Sequence, residues 1–189
     1  MIPRLHASVA RPAAVAAASL ALLASTAAAQ SATMADLLRD VGQVEQKLVG
    51  LARAMPADKY DWRPGEGVRS VGEVFQHVAA DNYLLSAGAG MAAPAATGIR
   101  AEDYNTAVAY ENRELGRDAI IAELEASFAH VRKAMMATTD SRLKESVSLF
   151  GGQMTVQALW VMEVGHIHEH LGQSIAYARS NGVVPPWSR

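Results

Sequence analysis

The sequence predicts an all-α protein, a four-helix bundle. Four long stretches repeat their apolar residues at helical spacing. Start and stop signals separate them, among them a Ser70–Glu73 capping pattern and closing Gly and Pro residues. No segment sustains the apolar–polar alternation of a half-buried strand. Four long helices sharing one core make a bundle, with crossover connections where the loops are long.

The first helix is expected from about Met34 to Ala54, with Met34, Leu37, Leu38, Val41, Leu48, Leu51 and Ala52 in register and Thr33 as N-cap. Pro56 and Pro64 end it, and Tyr60, Asp61 and Trp62 fall in the loop that follows. Ser70 opens the second helix: in Ser70-Val71-Gly72-Glu73 the two polar side chains satisfy free backbone N–H groups. It runs to about Ser86 on a stripe of Val71, Val74, Val78 and Leu85, before Gly88 and Gly90. Residues 89–115 read as a long connection with a short helix near Ala101–Ala109. Ile120, Leu124, Phe128, Val131 and Met135 set the third helix, from about Asp118 to Ala137. The fourth starts after Gly151-Gly152 and stops near Asn181-Gly182. Pro185-Pro186-Trp187 cannot continue it.

Ahead of these helices, residues 1–29 read as a secretory signal peptide. Arg4 and Arg11 flank an apolar segment from Ala13 to Leu23, and Ala27-Ala28-Ala29 precedes Gln30 as a cleavage site. The apolar core is short for a spanning helix, so no stable membrane insertion is expected after cleavage. The expected location is the periplasm or the cell exterior, and residues 30–189 form one domain. The leader carries two Arg and no acid, so its loss takes the net charge from −2 to −4. A mildly acidic chain without a basic stripe is not a nucleic-acid binder. The chain has no Cys. That excludes disulfides, a thiolate nucleophile, covalent haem attachment and thiolate zinc sites. Any metal ligands are His and carboxylates.

The chemistry concentrates in Gly165-His166-Ile167-His168-Glu169-His170-Leu171-Gly172-Gln173, inside an apolar run from Ala158 to Ala178. Residues four apart share a helical face, so His166 and His170 point the same way, while His168 is rotated by about 200°. Two imidazoles on one face are half of a metal site. With His166 at zero, His170 lies near 40°, Leu159 and Tyr177 near 20°, Gln173 near −20° and Glu163 near 60°, each by about 100° per residue. A third imidazole, His77, lies about 60° from Val74 on the second helix. Three His ligands with open positions suit a catalytic divalent metal, Zn²⁺, Ni²⁺ or a similar ion. Glu163, a turn before His166, is the leading fourth ligand or proton-transfer group. Glu169 is a second catalytic candidate, and Asp81 ranks with it. His130 is expected on the polar flank of the third helix, and Glu73 is a capping residue.

Two other metal patterns fit less well. His166-x-x-Glu169-His170 matches an inverted zinc-protease string, but that chemistry needs a downstream carboxylate and no Asp or Glu follows His170. Glu163-x-x-His166 matches one element of a di-iron bundle, and a second is not evident.

Taken together, Ser70-Val71-Gly72-Glu73-Val74-Phe75-Gln76-His77, His166-x3-His170 with Gly172-Gln173, and Tyr177-Ala178-Arg179-Ser180-Asn181-Gly182 with Pro185-Pro186 resemble the DinB superfamily. The resemblance spans essentially all of residues 30–189. It implies an all-α bundle of the DinB/YfiT-like type with a three-His metal site at His77, His166 and His170. Many relatives carry a second His just before the last ligand, where this chain has Glu169. Relatives include thiol transferases and a thiol-dependent isomerase, so the resemblance implies hydrolase or thiol-transferase-type chemistry on a small-molecule substrate. Those thiol cosubstrates are cytoplasmic, and an exported chain would not meet them. The competing reading is a non-catalytic periplasmic metal- or ligand-binding bundle. Bundles of this kind are often dimers, which makes a homodimer the expectation.

Overall fold

The computed structural model describes residues 32–188. The expected signal peptide and the expected cleavage site before Gln30 lie outside them. Four long helices form the body: α1 (Ala32–Ala54), α2 (Val71–Gly88), α4 (Arg117–Ala137) and α6 (Val156–Ser180). Between them lie two short helices, α3 (Asn105–Glu111) and α5 (Asp140–Leu143), and an antiparallel hairpin of β1 (Ser146–Leu149) and β2 (Gly152–Thr155). Helix α1 packs on α4 and α6, and α2 packs on the same two. The two helices consecutive in sequence, α1 and α2, therefore sit diagonally across the bundle. No helix among the described residues is long and apolar enough to cross a membrane.

Local chemistry explains the boundaries. Ser70 Oγ accepts from the Glu73 N–H, and Glu73 Oε2 accepts from the Ser70 N–H at 2.6 Å, closing the expected capping box on α2. Gly72 is needed at close quarters: its N–H donates to Tyr60 O at 2.9 Å, and an added Cβ would lie 3.2–3.4 Å from Ile120 and Tyr60. Helix α6 begins at Val156, a turn later than Gly151-Gly152 suggested, because Thr155 Oγ1 caps it by accepting from the Ala158 N–H. The short helix falls at Asn105–Glu111 instead of residues 101–109. The hairpin is the element that periodicity does not reveal. Its strands have four residues each, and the pair buries little beyond Leu149.

The main core is built from all four long helices, with Leu48, Leu51, Phe75, Leu124, Phe128, Leu159 and Trp160 among its fully buried side chains. Truncating one of these leucines to Ala costs about 2–5 kcal/mol, the transfer energy plus a cavity. Buried Trp160 keeps its indole N–H satisfied at Thr138 Oγ1, 3.2 Å away. Helix α2 is buried on almost every side. Its inner face joins the main core. Its outer face, at Ala79, Ala80, Tyr83 and Leu84, is covered by Ile99, Ala107 and Tyr110 from the connection to α4. That double burial places the polar residues of α2 inside the protein.

Candidate metal centre

Helices α2 and α6 pack side by side, and each presents a pair of polar residues one turn apart. His77 and Asp81 come from α2, His166 and His170 from α6. The three imidazoles pack edge to face, with ring centroids 4.4–5.0 Å apart. One nitrogen from each lies within 4.8 Å of the others, a spacing a single ion can bridge. His77 Nε2 faces His166 Nε2 at 3.1 Å. Asp81 Oδ2 stands beside the same two atoms, 3.2 Å from His166 Nε2 and 3.6 Å from His77 Nε2.

Outer groups orient the rings. Glu111 Oε1 accepts from His77 Nδ1–H at 2.5 Å, and Arg69 holds the other oxygen of that carboxylate at 3.1 Å. Gln173 Oε1 accepts from His170 Nδ1–H at 2.8 Å. Gln173 in turn donates to Tyr177 Oη, whose hydroxyl donates to the Arg69 carbonyl. Arg69 thus links the supports of His77 and His170 into one chain of contacts. With both Nδ1 atoms donating, the Nε2 lone pairs of His77 and His170 are free to ligate. Glu111 touches Nδ1 of His77 and Asp81 faces Nε2, on opposite edges of the ring. Glu111 therefore acts on the His77 ring, and Asp81 stands on the side an ion would take.

The electrostatics favour neutral ligands. Burial, with His170, His77 and Arg69 nearby, pushes His166 down to about 3. Burial also lowers His170, reinforced by His77 and Arg69, against the opposing effects of the Gln173 hydrogen bond and Glu169. Burial works against ionisation of Glu111, but its hydrogen bond and charge contact with His77, aided by Arg69, outweigh that and hold it below the usual carboxylate range. Burial raises Asp81 to about 6, with His77 opposing and Glu111 adding to the rise. The donor set fits a divalent cation: three convergent imidazoles, two buried and one half-buried, with burial lowering His166 and His170, and one adjacent carboxylate.

The other sequence candidates fall elsewhere. Glu163 is completely buried behind the triad, against Asn82. With the Asn82 amide oriented to satisfy its neighbours, its N–H₂ donates to Glu163 Oε1 at 2.9 Å and to Val78 O, while its oxygen accepts from Ser127. Burial, and next the charge of Asp81, push Glu163 up to about 8. Glu169 is exposed and does not join the imidazole cluster. His168 points away, as its helical angle requires, and contacts Asp40 at 2.9 Å. His130 is half-buried on α4 against Tyr83 and Met91. Sequence reasoning missed Glu111 and Arg69 as supports. It ranked Asp81 behind Glu163, although Asp81 follows His77 at the same i, i+4 spacing that identified the α6 pair. Gln173 and Tyr177 were legible as members of the His166 stripe.

The fold has solved counterparts. A DinB-like protein from Bacillus cereus ATCC 10987 superposes with a TM-score of 0.64 at 16% identity, covering 79% of this chain and 93% of that one. A DinB-like protein from Bacillus subtilis, yjoa, gives 0.59 at 17% identity over 79% of this chain and 93% of its own. YfiT from Bacillus subtilis, described as a probable metal-dependent hydrolase with an unusual four-helix bundle topology, gives 0.59 at 15% identity over 80% and 89%. No curated protein matches the sequence. The family model of the DinB superfamily matches residues 40–174, a span that runs from α1 through both site helices, and the chain belongs to that superfamily.

Proposed function

We propose that the protein is a divalent-metal-dependent hydrolase acting on a small molecule, with His77, His166 and His170 as ligands. The observation that carries this reading is the meeting of His77 Nε2 and His166 Nε2 at 3.1 Å beside Asp81 Oδ2, in a cluster where burial keeps the imidazoles of His166 and His170 neutral. A bound divalent ion supplies Lewis acidity and lowers the pKa of water in its reach. The residues around it perform the remaining tasks. Glu111 and Gln173 fix the His77 and His170 rings through their Nδ1 atoms. Asp81 Oδ2, 3.2 Å from His166 Nε2, would accept a proton from attacking water and return it to a leaving group. The description of YfiT as a probable metal-dependent hydrolase supports hydrolysis over thiol transfer, as does the export signal expected in residues 1–29.

The test combines metal content with turnover. Protein purified without chelator should carry about one divalent ion per chain by elemental analysis, as a three-His site implies. A panel of esters, amides and phosphoesters should reveal hydrolysis that chelation abolishes. Asp81→Asn should keep the metal and lose about 10²–10⁴-fold in kcat, the usual contribution of a positioned acid–base group. Metal-loaded protein with no hydrolysis across the panel would favour a binding role, and an unchanged kcat in Asp81→Asn would remove Asp81 from the chemistry.

A further inference from the structure

Arg69 and Glu111, the outer supports of the metal centre, also border a cavity of about 380 Å³, a size that suits a small organic ligand. Arg63, Glu73 and Asn112 add to its polar side, and Val68, Tyr104 and Val108 give it an apolar wall. Tyr104 and Val68 are 45% and 37% exposed, so the protein itself leaves this surface uncovered. Tyr104 lines the same cavity as Glu111, the carboxylate bound to His77, and burial first, then the charges of Asp81 and Glu111, raise its hydroxyl above the usual tyrosine value.

The Tyr104 ring has a support that fold stability does not explain. Phe150, at the tip of the β1–β2 hairpin, meets it edge to face with centroids 5.7 Å apart. Phe150 has φ +53° and the following Gly151 has φ +75°. Two successive left-handed residues make the hairpin turn whose first position ordinarily takes Asn, Asp or Gly. A bulky aromatic there is strained. Phe150 also remains 54% exposed, so burial recovers little of that strain. A strained, exposed ring held against a second exposed ring beside a polar cluster points to a ligand.

We propose that Val68, Tyr104 and Val108 bind a flat apolar group of the substrate, with Phe150 positioning the Tyr104 ring. The inference rests on the metal-hydrolase reading and narrows its substrate class. The substrate is a small molecule carrying an aromatic or comparably flat apolar group next to the function that reaches the metal.

Two hydroxamates test this, because they share a metal-chelating group and differ by one ring. Zinc-loaded protein is titrated with acetohydroxamate and with benzohydroxamate. The wild type should bind benzohydroxamate about tenfold or more tighter, the effect of burying a phenyl ring. Tyr104→Ala should abolish that preference with zinc content unchanged. Phe150→Gly should reduce it without lowering the Tm, since Gly suits the turn, and Phe150→Tyr should restore it. Equal binding of the two probes to zinc-loaded wild type overturns this inference alone, as does a preference that survives Tyr104→Ala. A Phe150→Gly variant with full preference removes Phe150 from the proposal. Absence of zinc, with neither hydroxamate bound, overturns the inference together with the hydrolase reading.

Discussion

The buried acid behind the triad allows a quantitative test by Glu163→Gln. Glu163 has no exposed surface, one oxygen bound by Asn82 and the other without a hydrogen bond. Its pKa rises from 4.5 to about 8, chiefly through burial. A folded value above the unfolded one fixes the sign. The contribution to stability is fully present below pH 4.5 and is lost as pH rises through 8, because the unfolded chain releases the proton first. Across that window each pH unit costs about 1.4 kcal/mol. Gln is the neutral isostere and does not titrate. It keeps the acceptor for Asn82 and replaces the acid proton with an amide donor. The gap between variant and wild type should therefore be under about 1 kcal/mol at pH 5. By pH 8 it should reach roughly 2–4 kcal/mol in favour of Gln, less than the full linkage value because buried sites relax and admit water. The assay is urea unfolding of chelator-treated protein at pH 5, 6, 7 and 8, with two-state behaviour checked by two probes. The depressed His166 and His170 cost stability as pH falls from about 6.5, but this is common to both proteins and cancels in the difference. A gap that does not change with pH would show that Glu163 does not hold a proton in the folded state. A variant less stable at every pH would show an ionised, paired carboxylate.

Three further outcomes are expected. His166→Ala and His170→Ala should remove most bound metal, and His77→Ala nearly as much, whereas His168→Ala should leave metal content unchanged because that ring contacts Asp40; elemental analysis decides. Glu111→Gln should weaken metal affinity about 10–100-fold, the usual cost of losing an outer carboxylate on a ligating His, read by competition with a chromogenic chelator. N-terminal sequencing of protein from the native host should begin near Gln30, and an intact Met1 on soluble protein would refute the export reading.

What the sequence disclosed and what it withheld separate along physical lines. Helical periodicity is local, so the four long helices and the shared face of His166 and His170 were readable within single segments. His77 was readable because the Ser70–Glu73 capping box set the start of its helix. A helical wheel gives angle but not depth, and this explains the ranking of the acids. Glu163, about 60° from His166, turns into the core against Asn82, while Asp81 reaches the cluster from the facing helix. Glu169 is adjacent to His170 in sequence, but one residue on a helix is a rotation of about 100°, which carries it to solvent. The hairpin escaped notice because four-residue strands hold too little periodicity, and Phe150-Gly151 is not one of the usual turn pairs.

Glu111 was hidden for a different reason, and that reason bears on how the site is built. It lies 34 residues from His77, on a short helix in a connection without a strong local pattern. The diagonal placement of α1 and α2 leaves α2 with an outer face, and the connection to α4 covers it through Ile99, Ala107 and Tyr110. The same covering segment brings Glu111 to His77 and Tyr104 to the cavity that Glu111 borders. Burial of α2 and support of its imidazole thus come from one element. The ligands sit on rigid helices, while the cavity wall and the His77 support sit on the connection and the hairpin. Changes in those two segments can alter what the site accepts while the three imidazoles stay in place.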